Sequence, residues 1–253
     1  MKLYDGFEMN NQLKKAVDTT QRAQRNYDLS KVIPQEDLET LIYAAVNSPS
    51  KQNETHYALY VYTDQKIIRE IYNQTKYFGL HFKGETKGIY EEKNGKFWQN
   101  EDRSVHNSQM LANALFVFAE DHGLPRGGNS MIAQQTTDIT TESYQIYQEQ
   151  INFSIGIAAG ETILSAALLG YRTGLCSAFP KDKVQEIIGS KYFPKLLIGI
   201  GYPNPGVDRR LHAETLNSQV PVEFRTGELN EQWRFPSFEK TVKVTINGTE
   251  NKN

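Results

Sequence analysis

Three short segments carry the side chains best suited to hold an anion. The first is Gln21-Arg22-Ala23-Gln24-Arg25-Asn26-Tyr27, which follows a stretch expected to be helical. The second is Ser48-Pro49-Ser50-Lys51-Gln52-Asn53, a polar loop between a predicted helix and a predicted strand. It offers hydroxyl, amide and ammonium groups together with backbone N–H donors. The third is Asp208-Arg209-Arg210, just beyond a Gly201-Tyr202-Pro203 turn. Arginine suits a phosphate because its planar fork donates two parallel hydrogen bonds and stays charged. Each segment alone reads as a solvated charged loop. Together they resemble an anion site fed from several loops.

Other chemistries find little support. No G-x-x-x-x-G-K or G-x-G-x-x-G run occurs, which argues against those two kinds of nucleotide site. The five histidines (His56, His81, His106, His122 and His212) form no H-x-x-x-H or H-E-x-x-H pair, so no metal site is expected. No G-x-S-x-G elbow is present. The single cysteine, Cys176, excludes an internal disulfide and any multi-cysteine metal site. It reads as a small buried residue at a strand end rather than a nucleophile.

Composition narrows the class further. The chain has 253 residues and a net charge of −2, without the basic excess of a general nucleic-acid binder. Its mean hydropathy is −0.59. The most apolar stretch, Ile151 to Gly170, is interrupted by Ser154, Glu161, Thr162 and Ser165, so no membrane span is expected. The first residues lack the apolar run of a secretory signal, and a cytoplasmic protein is the expectation.

The elements that must position these segments follow from periodicity. Leu38, Leu41, Ile42 and Ala45 predict a helix over 35–46, with Glu36 and Asp37 near its positive end and Asn47-Ser48-Pro49 as its stop. Strands are expected at Tyr57–Tyr62, Asn113–Ala119 and Leu196–Gly201. Residues 142–169 predict one long helix that is apolar on nearly every face from Ile151 onward, and a shorter helix spans 181–188. Residues 77–106 and 121–140 show no period. Lys240–Ile246 alternates like an edge strand within a tail that could wrap a partner subunit or lie on its own core.

The order of these segments resembles the nitroreductase family of FMN-dependent flavoenzymes. The family's R-R-S-x-R-x-F motif corresponds to Gln21–Tyr27, and its A-P-S-x-x-N-x-Q-P-W loop to Ser48–Tyr57. A small-residue helix ending in L-G-x-G-T, then a loop and Phe, corresponds to Ile155–Leu169 followed by Gly170–Phe179. A strand ending in G-Y-P and a following arginine match Gly201-Tyr202-Pro203 and Arg210. The chain departs from the pattern at Gln21 and Ala23, which replace an arginine and a serine, and at Thr55-His56-Tyr57, which replaces Q-P-W.

The resemblance implies an α+β fold with a central mixed sheet flanked by helices, built as one domain and assembled as an intertwined homodimer. Residues 211–253 would be an extension of that domain. FMN would sit between protomers. Arg22 and Arg210 would hold its phosphate, with Ala23 and Gln24 beside them. Arg25 would lie at the N1/C2 edge of the ring, where a cation stabilises the reduced flavin. Pro49, Ser50, Lys51, Gln52 and Asn53 would reach the ring and ribityl chain from the other protomer. Leu175, Cys176, Ser177 and Ala178 would pass under the ring with backbone groups near N5. The implied reaction is ping-pong: NADH or NADPH reduces the flavin, which then reduces a small electron-poor acceptor such as a nitro compound, quinone or flavin. The cofactor carries the chemistry, so no catalytic side chain is named. The same scaffold also admits a dehalogenase, an oxidase, a flavin-fragmenting enzyme or a non-catalytic FMN-binding protein.

Overall fold

The computed structural model describes residues 11–75, 106–121 and 140–209, with the short pairs 245–246 and 249–250. Among these, helices surround a four-stranded sheet. The elements are α1 (Asn11–Thr20), α2 (Gln35–Val46), β1 (Tyr57–Tyr62), α3 (Gln65–Gln74), β2 (Ala114–Glu120), α4 (Glu142–Leu168), β3 (Arg172–Cys176), α5 (Lys181–Ile188) and β4 (Pro194–Gly201). The strands lie in the order β1-β2-β4-β3. Every described pairing among them is antiparallel, which is the part of the implied mixed sheet that these residues account for.

Period-two alternation sends the side chains of the central strands into two cores. Phe116, Phe118, Ile198 and Ile200 face α2 and α4, meeting Leu41, Ala45, Ile151, Ile155 and Ala158. Leu115, Val117 and Leu197 face the other way, onto Ile68 and Ile71 of α3 and Val184 of α5. All seven residues of β2 are buried, as expected of a strand covered on both faces.

The long helix α4 starts at Thr141, whose Oγ1 accepts from the Tyr144 N–H at 3.2 Å, and the chain turns at Gly170 with φ of 92°. It is the one helix among the described residues long and apolar enough to cross a membrane. In this fold its inner face is committed to the core through Ile151, Ile155, Ala158, Ala159 and Ala166. Its other face leaves Ile146, Phe153 and Ile157 exposed, with open space over Gly156 and Gly160.

Helix α3 has no counterpart in the sequence reading. Its signals are an N-cap at Asp64, which accepts from the Lys66 N–H at 2.8 Å, and the buried stripe Ile68, Ile71 and Tyr72. Beyond 209, Thr245–Ile246 (β5) pairs with Thr249–Glu250 (β6). The rest of the expected edge strand at Lys240–Ile246 lies outside the described residues, as do 76–105 and 122–139.

Candidate anion-binding site at the head of the β3 edge strand

The first basic segment is stitched onto the ends of β3 and β4. The Gln24 N–H donates to the Thr173 carbonyl at 2.8 Å, and the Arg25 N–H to the Arg209 carbonyl at 3.0 Å. The Asn26 side chain donates to the Asp208 carbonyl at 2.8 Å. Tyr27 bridges to Pro203, and its hydroxyl donates to the Gly199 carbonyl at 3.2 Å. Farther along, Asn113 clamps the turn after Tyr27. Its Nδ2 donates to the Asp28 and Lys31 carbonyls, each at 2.8 Å, and its Oδ1 accepts from the Tyr202 N–H at 3.0 Å.

Such close approach needs strands without side chains at the crossing points. A Cβ on Gly174 would lie 2.6 Å from Gln109 Cβ and 2.9 Å from the Gln24 carbonyl oxygen. One on Gly201 would lie 2.0 Å from Asn113 Oδ1.

This stitching gathers cations. Arg22, Arg172 and Arg209 line a pocket of about 480 Å³ together with Lys14, Lys15 and Asp18 of α1. Lys14 pairs with Asp18 at 2.7 Å, so one carboxylate stands against five cations. Arg25 lies just behind. Burial, and then the charge of Arg209, push its guanidinium down to about 10, which leaves it charged at neutral pH.

The first and third basic segments therefore meet, through Arg22 and Arg209. Arg210 lies outside the described residues. The second segment does not line the pocket within one chain. It forms a tight turn in which Ser50 Oγ accepts from the Thr55 N–H at 3.0 Å. Asn53 and Thr55 both adopt positive φ there, at 58° and 49°. A β-branched residue in that region is strained, and such strain concentrates where a loop serves binding.

Below the pocket, β3 runs into an open surface: Leu175, Ser177 and Ala178 are exposed, while Cys176 is buried. The Leu175 N–H donates to Gln109 Oε1 at 2.9 Å. Cys176 Sγ donates to the Ala178 carbonyl at 3.2 Å. Burial pushes this thiol up, away from the reactive thiolate. Cys176→Ser should therefore keep most activity. A loss beyond about a hundredfold in kcat/KM, roughly 2.7 kcal/mol of barrier, would show a direct role for the sulfur.

His56, in the departure Thr55-His56-Tyr57, ties the Ser50–Asn53 turn to α4. Its Nε2 lies 3.4 Å from Glu54 Oε2, and its ring meets Tyr147 edge-on at 5.7 Å. Burial holds the imidazole below its usual value, and Lys51 adds to this, against the opposing pull of Glu54 and Asp121. A base whose folded value is depressed binds its proton more readily unfolded. Stability is thus complete above the unfolded value of about 6.5 and is lost as pH falls through it. The thermal midpoint should drop between about pH 7 and 5, and less so in His56→Gln. Equal slopes in both proteins would show that His56 does not contribute.

Lys14, Lys15 and Arg172 were not legible as site residues. The lysines lie about two turns back on α1, and Arg172 is brought to Arg22 by the Gln24–Thr173 hydrogen bond across the fold.

The model of the Nitroreductase family matches residues 19–202, and the chain belongs to that family. Its fold is similar to a Staphylococcus epidermidis protein described as an NAD(P)H:FMN oxidoreductase. Identity is 15%, with 88% of this chain and 98% of that one covered and a TM-score of 0.53. It is also similar to YcnD of Bacillus subtilis, described as a hypothetical oxidoreductase, at 19% identity, with 88% and 78% covered and a TM-score of 0.53. A third similar structure is an FMN-dependent nitroreductase from Clostridium difficile, at 16% identity, with 77% and 90% covered and a TM-score of 0.50. No curated protein matches the sequence. Membership of that family makes the chain an oxidoreductase.

Proposed function

We propose that the protein is an FMN-dependent NAD(P)H oxidoreductase that works as a homodimer and reduces a small electron-poor acceptor by a ping-pong reaction. The observation that carries this reading is the pocket where Arg22, Arg172, Arg209 and Lys15 converge at the head of β3. Its donor set fits a phosphate monoester: charge-assisted, multidentate and nearly free of carboxylates. The surface after it, Leu175 to Ala178, offers an exposed apolar side chain and backbone edge groups to a flat ring.

Bound FMN would accept a hydride at N5 and pass the reducing equivalents on. The chain's own part is to anchor and to bias. Arg22 and Arg209, with Arg210 next in sequence, hold the phosphate. Ala23 and Gln24 fix the backbone between Arg22 and β3. Arg25, charged and half-buried, places positive charge at the ring edge. Pro49, Ser50, Lys51, Gln52 and Asn53 complete the site from the second copy; none of them lines the pocket within one chain. The second copy would dock on α4, where Ile146, Phe153 and Ile157 are exposed along one stripe and Gly156 and Gly160 permit close approach.

Anaerobic mixing of the FMN-loaded protein with NADH and with NADPH tests the reading. Bleaching of the flavin band by at least one of them is expected. A flavin that stays oxidised with both would make the protein a passive binder.

A further inference from the structure

We infer that Arg172 is a phosphate ligand of the FMN site and replaces the arginine that this chain lacks at position 21. The inference rests on the FMN reading above.

Two departures from the family pattern coincide. In the first motif, Gln21 stands where the family has an arginine. In the later L-G-x-G-T pattern the chain reads Leu169-Gly170-Tyr171-Arg172-Thr173, so an arginine stands where the second glycine belongs. One cation is missing from one motif and one is added to another.

The fold brings the two places together. Arg172 opens β3, and the next residue, Thr173, takes the Gln24 N–H. Arg172 and Arg22 line the same pocket, and Gln21 does not line it. The Gln21 amide instead donates to Asp18 Oδ1 at 3.0 Å, and Asp18 is already held by Lys14. Opposite Arg172 in the sheet register is Gly201, which puts no side chain beside it. One guanidinium N–H of Arg172 goes to the Tyr171 carbonyl at 3.3 Å, which orients a fork with five N–H groups in all. Arg22, Arg172, Arg209 and Lys15 carry like charges around one open pocket, and a dianion would offset their mutual repulsion.

The test compares FMN with riboflavin, which has the same ring and ribityl chain without the phosphate. Each is titrated into apo-protein, wild type, Arg172→Ala and Arg172→Lys, by quenching of flavin fluorescence, with a thermal melt of each variant. Wild type should prefer FMN. Arg172→Ala should bind FMN roughly tenfold to a hundredfold more weakly, as expected on losing a charge-assisted hydrogen bond. Its riboflavin affinity should stay within about threefold of wild type. Arg172→Lys should fall between, because it keeps the charge and loses the fork. Unchanged FMN affinity in Arg172→Ala overturns the inference, and so does an equal loss for both ligands, which would mark a structural role. Wild type with no preference for FMN over riboflavin overturns the phosphate reading of the pocket itself, and this inference with it.

Discussion

Gly199→Ala is expected to destabilise the protein by about 3 kcal/mol, at the upper end of what overpacking a core costs. The added Cβ would stand 2.0 Å from the Gln109 carbonyl oxygen and 3.1 Å from Ala112 Cβ. Neither can swing aside cheaply: one is backbone, and the other is a buried alanine at the entry to β2. The strain should show as a thermal midpoint lower by about 6–12 °C, given roughly 2–4 °C per kcal/mol for a chain of this size. It should also reach the site. Gln109 holds the Leu175 N–H, so pushing it off β4 loosens the strand that leads from Arg172 to Ala178. A shift below about 2 °C would show that the Ser108–Met110 turn is not packed on Gly199 as described.

The second large effect separates the arginines. Arg22→Ala and Arg209→Ala should weaken FMN binding by roughly tenfold to a hundredfold, since a hydrogen bond to an ionised group contributes about 1.5–3 kcal/mol. Arg210→Ala should behave in the same way. These variants should purify pale and recover much of their rate with excess FMN. Arg25→Ala should keep its FMN and become harder to reduce. Arg25 stays charged at neutral pH despite burial and the nearby Arg209, so its removal takes away positive charge that favours the reduced flavin. About 1.4 kcal/mol of lost stabilisation lowers a two-electron potential by about 30 mV. FMN affinity unchanged in Arg22→Ala and Arg209→Ala would remove the phosphate assignment. An unchanged midpoint potential in Arg25→Ala would remove the ring-edge role.

Local periodicity made most of the frame legible. The helix over 35–46, the strand Tyr57–Tyr62 and the helix over 181–188 stand at the expected bounds, because each has an apolar pattern and a clear stop. The sheet's inner strands shift at their ends for reasons only tertiary structure supplies. β2 begins at Ala114 rather than Asn113, whose side chain is spent on the 28–31 turn and Tyr202. β4 begins at Pro194, two residues early, where Lys195 pairs with Glu120 of β2 at 2.6 Å. Helix α3 was missed although Asp64 and its isoleucines carry the signal. In the site, Arg22 was legible because it sits in a motif. Arg172 was not, because its meaning depends on a hydrogen bond between residues 24 and 173 that no local pattern announces. The Ser50–Asn53 turn, expected from the sequence to be a binding loop, does not line the pocket within one chain.

The most direct test of the account is sedimentation velocity of the protein after incubation with FMN, followed both in the protein band and in the flavin's visible band. A single boundary is expected at twice the chain mass of 28.9 kDa, carrying flavin absorbance that corresponds to one FMN per chain. Flavin absorbance left behind in the supernatant, or sedimenting with a stable monomer, would contradict it.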